Sequence, residues 1–239
     1  MQTATKCAIL YRDKWFLIVN KPEGFLSHPN PKGEARAGAP CAFEGEYDPE
    51  KRRFDTPEGP FWLIHRLDRD TSGALLAAAD PDTSARMREL WDKGSIEKKY
   101  VALVGGQLPP QGKMKDCLFK QKESSRVRSV VTKGPSNAEL LYTLKRYFRR
   151  ANLSLAEVRL VTGRTHQIRV QFAHRKHPLG GDRVYGDFNM NRALRDQTAL
   201  RRLFLHAATL GFRHPFTGKY VKADAPLPAE LSACLSRLS

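Results

Sequence analysis

Residues 65–73, His65-Arg66-Leu67-Asp68-Arg69-Asp70-Thr71-Ser72-Gly73, constrain the fold of this chain more than any other stretch. They hold two carboxylates and three basic side chains between two apolar runs, Phe61-Trp62-Leu63-Ile64 and Ala74-Leu75-Leu76-Ala77-Ala78-Ala79. Ionised groups are costly to bury without partners, so the charged segment stays at a surface while its flanks go inside. The flanks have the length of strands. The pattern therefore predicts two buried segments with a cluster of charges at their mouth. Loops held this way by a rigid scaffold are where chemistry is usually placed.

The rest of the chain also reads mainly as strands. Ala8–Tyr11 and Trp15–Asn20 form a pair joined at Arg12-Asp13-Lys14, the second nearly all apolar and buried on both faces. Trp62–Ile64, Leu75–Ala79, Lys99–Val104 and Leu203–Phe212 are further strands. Residues 113–119, 126–132, 137–148 and 152–161 alternate as an antiparallel meander, with Leu153, Leu155, Val158 and Leu160 facing the core and an irregularity near Ala156. Helices are fewer. Asp80 caps one, with Pro81 at its first position, an apolar face through Met87, Leu90 and Trp91, and Gly94 to end it. Thr165 caps a second over about 166–174, and Leu227–Leu238 closes the chain. Residues 29–60 mix Gly, Pro and charges with little periodicity and read as a divergent loop or insertion. The fold class is α+β: a largely antiparallel, mixed sheet with helices packed on it. The reading is a single domain over 1–239, with 112/113 the place where two lobes would divide.

The totals restrict function. The chain has 239 residues, 41% of them hydrophobic, enough for a core. No apolar run approaches the roughly 20 residues of a membrane helix, and the N-terminus shows no signal-peptide pattern, so the expected location is cytoplasmic. Cys7, Cys41, Cys117 and Cys234 are scattered, which argues against a disulfide framework or a cysteine-based zinc site. His174 and His177 lie three apart, with no carboxylate-rich third ligand in view, so no metal is expected. The formal net charge is +16. Residues 113–150 alone hold eleven Lys or Arg against three acidic residues. Such an excess fits either a solvated sheet face or a polyanionic partner; beside the charged loop, nucleic acid is the better reading.

From residue types alone Asp68 is a nucleophile, a general base or an ion-pair partner. The segment Thr162–Arg169 offers guanidinium groups that would keep it ionised and aimed, or would only tie two loops together. Asn20 and Lys21 are read as bracing the loop, Thr71 and Ser72 as holding its backbone. Trp15, Trp62 and Trp91 are read as core.

Five stretches, in order, resemble the RluA-type RNA pseudouridine synthases. They are Val19–Gly24 with His28; HRLDRDTSG; Lys98-Lys99-Tyr100 with Val101–Val104; TGRTHQIRVQ with His177–Asp182 and Tyr185-Gly186; and Leu205-His206-Ala207 with His214–Gly218. The likeness runs from about residue 15 to 218. It implies isomerisation of uridine to pseudouridine within structured RNA. The C–N glycosidic bond breaks, the uracil turns and a C–C bond forms, with no cofactor, metal or activated donor. The resemblance assigns Asp68 as the catalytic carboxylate, Tyr100 as the ring stacked on the target base, and Arg169 as the ion-pair partner of Asp68. It implies a central catalytic cleft, with Leu205 as a substrate-binding residue; Arg66, by its residue type, binds substrate by filling the flipped base's space or touching phosphate, or else only pairs with Asp70 at the surface. A uridine in folded RNA must leave its stack to be reached, and an aromatic ring replaces that stacking.

This chain departs from the family in three places. No separate N-terminal RNA-binding domain is expected, which leaves 113–150 as the candidate source of affinity. Pro29–Pro60 is less apolar than in relatives. Gln171 stands where relatives often have His. Residues 186–192 resemble the branch that modifies transfer RNA, with large-subunit ribosomal RNA next. No membrane or obligate protein partner is expected. A non-catalytic RNA-binding or RNA-folding protein on the same scaffold is the alternative reading, and a nucleoside hydrolase or base glycosylase a third.

Overall fold

The computed structural model describes residues 3–29, 39–123 and 126–239, and the side chains of these outside 122–127. Its elements, in chain order, are β1 (Ala8–Arg12), β2 (Phe16–Lys21), β3 (Glu46–Asp48), β4 (Arg53–Thr56), β5 (Gly59–Leu63), β6 (Ser72–Ala78), α1 (Pro81–Asp92), β7 (Glu97–Gly105), β8 (Gln111–Glu123), β9 (Arg126–Thr132), β10 (Ala138–Phe148), β11 (Leu153–Leu160), α2 (Gln167–His174), α3 (Phe188–Thr198), β12 (Leu205–Arg213), β13 (Tyr220–Asp224) and α4 (Ala229–Leu238). The fold is α+β, a mostly antiparallel sheet structure with four helices among the described residues. The chain divides into two compact units, Met1–Glu97 with Ala207–Pro226, and Lys98–His206 with Leu227–Ser239. The break lies at 97/98 rather than at 112/113, because β7 pairs with β11 and belongs to the second unit's sheet.

In the first unit β6 is the organising strand. All seven of its residues are buried. β2 pairs with it antiparallel from Phe16↔Ala78 to Lys21↔Gly73, β5 pairs with its far end, and β1 extends the sheet beyond β2. Phe16, Ile18, Leu76, Met87 and Phe212 meet in one core. Asp80 caps α1 as its sequence requires: its carboxylate accepts from the Thr83 amide at 2.8 Å, and Pro81 opens the helix. Gly94 ends the turn at φ +70°. Trp15, Trp62 and Trp91, read as core, are only partly buried, at the margin of this core.

Within the segment read as a loop or insertion, 30–38 lie outside the described residues. The remainder holds β3 and β4, which run antiparallel into β5. Phe43, Phe54 and Phe61 pack together over this small sheet. Three- and four-residue strands are too short to show a period, so only the pairing reveals them.

Gly73 joins the charged loop to β6 at φ +117°. A Cβ there would lie 2.2 Å from the Ala207 carbonyl oxygen. The left-handed backbone and the backbone contact both exclude a side chain. Gly73→Ala is expected to cost about 3 kcal/mol or more of stability. A urea midpoint equal to that of the wild type would refute this.

In the second unit β7, β11 and β10 run antiparallel in that order, with Tyr100 opposite Val158. β8 departs from the expected meander. Its first half pairs with β10 and its second half with β9, so one strand serves two successive partners. The irregularity expected near Ala156 is a bulge on the facing strand: Ala156 pairs with Leu144 and Leu155 with Arg146, leaving Lys145 as the extra residue. Leu155 is consequently half-buried rather than core. α2 starts one residue later than expected, and Thr165 does not cap it. His166 occupies the cap position in the left-handed conformation with no side-chain cap bond. α3 and β13 have no counterpart in the sequence reading. α3 contributes Leu194 to a core with Leu103, Phe204, Leu231 and Cys234, which α4 closes.

Candidate active site

The loop carrying Asp68 is held from several sides. The buried Ser27 hydroxyl donates to the Leu67 carbonyl and accepts from the Leu67 amide, both at 2.9 Å. Lys21 is fully buried, and its ammonium donates to the carbonyls of Phe25 (2.8 Å), Pro22 (2.9 Å) and Arg69 (3.2 Å). It braces the loop, as its place in the sequence indicated. The Thr71 amide closes a turn on the Asp68 carbonyl at 3.1 Å. His65 is buried, stacks on Trp91 at 4.4 Å, and accepts from the Leu76 amide through Nε2. Asp68 is left half-buried at the turn, with Arg66 exposed beside it. Ser27, Lys21 and the Thr71 amide thus hold the backbone on both sides of Asp68.

Arg66 heads a basic cluster that sequence reasoning missed. Its Nη1 lies 3.2 Å from Nε2 of His28, and His28 stacks on Tyr47 of β3 at 5.1 Å. Burial pulls the His28 pKa down; the Pro29 carbonyl opposes this, while the charges of Arg66 and Arg52 add to it. Burial pushes the Tyr47 hydroxyl up against the pull of Arg52, Arg66 and Arg88. Nε and Nη2 of Arg88 on α1 are buried without a hydrogen-bond partner among the described residues. Burial and the neighbouring Arg52 both pull the Arg88 pKa down. Orphaned cationic donors are rare and mark a place that an anion would satisfy. Tyr47 and Arg52 come from the segment whose sequence shows no period, which is why they went unnoticed.

Tyr100, Arg169 and Leu205 belong to the second unit, Asp68 and Arg66 to the first. Tyr100 on β7 and Leu205 at the start of β12 are both buried. Arg169 on α2 is 3% exposed, and its Nε and Nη2 grip Asp182 at 2.7 and 2.9 Å. Asp182 is 2% exposed and also accepts from the Val184 and Tyr185 amides at 2.8 and 3.0 Å. Burial alone would raise the Asp182 carboxyl, but the hydrogen bonds and charge of Arg169, with the two amides, hold it below the usual range. The Arg169 guanidinium also sits over the Tyr185 ring, 5.3 Å from its centre. The Tyr185 hydroxyl accepts from the Ser129 amide at 2.7 Å and meets His166 Nδ1 at 2.9 Å. Asp182 and Tyr185 lie in motif segments, but nothing in their spacing names Arg169 as the residue they hold.

The basic stretch divides. Lys113 and Lys115 both face Glu139, at 2.7 and 3.2 Å, and Lys145 faces Glu157. Arg128 donates to the Val184 carbonyl at 2.6 Å. Lys120, Arg149 and Arg150 are exposed, and the side chains of Lys122 and Arg126 lie outside the description. Gln171 is buried and donates to Asp116 at 2.6 Å, beside the two bonds of Arg175 to the same carboxylate. It joins α2 to β8.

Lys98, two residues before the motif tyrosine, is buried, with its ammonium 3.5 Å from the Val161 carbonyl. Burial pulls its pKa from 10.5 to about 8. Between these values the unfolded chain keeps a proton that the folded chain has lost, so stability rises with pH across that window. Lys98→Met is expected to flatten this rise. Urea midpoints at about pH 7.5 and about pH 9.5 test it, and an unchanged difference between them would count against it.

The model for "RNA pseudouridylate synthase" matches residues 15–174. The chain belongs to the RNA pseudouridylate synthase family. It is an RNA pseudouridine synthase, an intramolecular isomerase of the RluA type. The ribosomal large subunit pseudouridine synthase C of Escherichia coli (strain K12) is 37% identical over 235 residues, 96% of this chain and 69% of that protein. That of Yersinia pestis is 38% identical over 234 residues, 96% of this chain and 68% of that protein. The fold agrees with Human RNA Pseudouridylate Synthase Domain Containing 4, at TM-score 0.70 and 22% identity over 97% of this chain and 92% of that one. No helix among the described residues of this synthase is long and apolar enough to cross a membrane.

Proposed function

We propose that this pseudouridine synthase modifies uridine in large-subunit ribosomal RNA, with Asp68 as its catalytic carboxylate. The observation that carries the substrate reading is the similarity, across 96% of this chain, to synthases named for the large ribosomal subunit. It outweighs the likeness of residues 186–192 to the branch acting on transfer RNA, which rests on one short segment.

In this reading the carboxylate of Asp68 acts on the sugar of a flipped uridine. The C1′–N1 bond breaks, the uracil turns, C5 bonds to C1′, and the C5 proton is lost while N1 gains one. Tyr100 stacks on the uracil, a contact worth roughly 1–3 kcal/mol. Arg169 pairs with Asp68 and keeps it ionised, its own orientation set by Asp182 and Tyr185. Leu205 packs beneath the base. Arg66, which shares Tyr47 as a neighbour with the unsatisfied Arg88, meets the RNA backbone or the space that the base vacates.

The test uses RNA from cells lacking the protein, treated with purified enzyme and mapped for pseudouridine by chemical labelling. A new site in large-subunit rRNA supports the proposal. New sites confined to tRNA would overturn the substrate assignment and leave the chemistry standing.

A further inference from the structure

α3 lies over a cavity of about 620 Å³ in the second unit. Arg183, Arg192, Arg195 and Arg201 line it, and all four are exposed. Phe188, at the first turn of α3, lines the same cavity and is 78% exposed. The floor is fixed: Asn191 accepts from the Gly181 amide at 2.8 Å and donates to the Asp182 carbonyl at 2.9 Å.

Negative charge there is already engaged. The carboxylate of Asp182 is matched by Arg169 and two amides. Asp187 is exposed and caps α3 through the Met190 amide. Asp196 is near both Arg192 (3.9 Å) and Arg195 (3.6 Å), but these groups are more than half exposed, so the pairs are weak. Four guanidiniums round one cavity repel one another and leave the site suited to a polyanion. An exposed aromatic ring among arginines adds a stacking surface, the combination that single-stranded nucleic acid recognises.

We propose that this cavity is a second RNA-binding site, taking a single-stranded segment of the substrate RNA with its phosphates on Arg192, Arg195 and Arg201 and one unstacked base on Phe188. It rests on the reading of this chain as an RNA enzyme, not on which RNA it modifies. None of the residues proposed for the chemistry lines the cavity; Asp182, which holds Arg169, does so only in its floor. The site therefore governs affinity and choice of RNA rather than the chemical step.

Two variants test it: Arg192→Gln with Arg195→Gln, and Phe188→Ala. All three positions are exposed, and Gln is a good helix former, so the fold should survive. Binding is measured against a large-subunit rRNA transcript and, separately, bulk tRNA over a range of salt. The double variant is expected to bind roughly tenfold more weakly, with the slope of log affinity against log salt shallower by about 1.4, the loss of two single-strand phosphate contacts. Phe188→Ala is expected to weaken binding by about tenfold with the slope unchanged, since stacking releases no counterions. On whichever RNA the wild type isomerises, both variants should raise KM far more than they lower kcat. Wild-type affinity and slope in both variants would overturn the proposal. Were the wild type to isomerise neither RNA, the substrate reading would fail, while the binding measurements would still decide the cavity.

Discussion

Asp68→Asn is expected to abolish pseudouridine formation, by on the order of a thousandfold or more in kcat, and to leave RNA binding largely intact. The side chain keeps its shape and loses its charge. Other groups also hold the loop around it: Ser27 holds Leu67, Lys21 holds Arg69, and the turn closes through the Asp68 carbonyl. Activity lost while RNA binding is kept therefore reports on chemistry rather than on folding. The measurement is chemical mapping of pseudouridine after treatment with wild type and variant, beside a binding titration. Two outcomes decide the role of Asp68. Product from the wild type only supports it as the catalytic carboxylate. Product from both at similar rates would overturn that assignment.

Arg169→Met has the second large effect, this time on stability. It leaves the Asp182 carboxylate buried without its cation, a situation that costs about 3–5 kcal/mol. The companion variant Arg169→Met with Asp182→Leu removes both charges and should recover much of the loss, because a buried pair replaced by apolar groups is often close to neutral. Urea unfolding of the two variants checks this, and equal destabilisation in both would refute it. The double variant also separates two roles of Arg169. If it folds and remains inactive, the arginine acts on Asp68 as proposed. If it folds and isomerises uridine, the arginine is structural only. The same pair predicts a pH dependence. The folded-state pKa of Asp182 is held low, so its contribution is present above its ordinary value of 3.8 and is lost as pH falls through the lowered one. Acid unfolding of the double variant should therefore begin at lower pH than that of the wild type.

The parts of this enzyme legible in its sequence share a physical property: each is decided by neighbours in the chain. Asp80-Pro81 starts α1 because capping is local. β2 and β6 announce themselves because strands buried on both faces need unbroken apolar runs. The loop 65–73 is visible because its charges cannot follow those runs inside, and its match to a known motif gives the chemistry. Less local features went unread. β13 has a clean alternation, yet at five residues it is too short for the period to stand out. α3 carries too many charges for its apolar residues, Leu194 foremost, to stand out as a face.

The tertiary structure settled which groups meet. β8 divides its hydrogen bonds between β9 and β10 because register depends on what lies opposite, which no single strand encodes. Asp182 is found to hold Arg169, Tyr47 to stack on His28, and four arginines to surround one cavity, though these residues lie up to about twenty apart in sequence. The sequence alone determined the class of fold, the charged loop and the family chemistry, since these follow from local pattern and motif. The partners that fix the arginine, and the basic cavity under α3, come only from packing, because ion pairs and pockets form between segments whose nearness is a property of the folded chain.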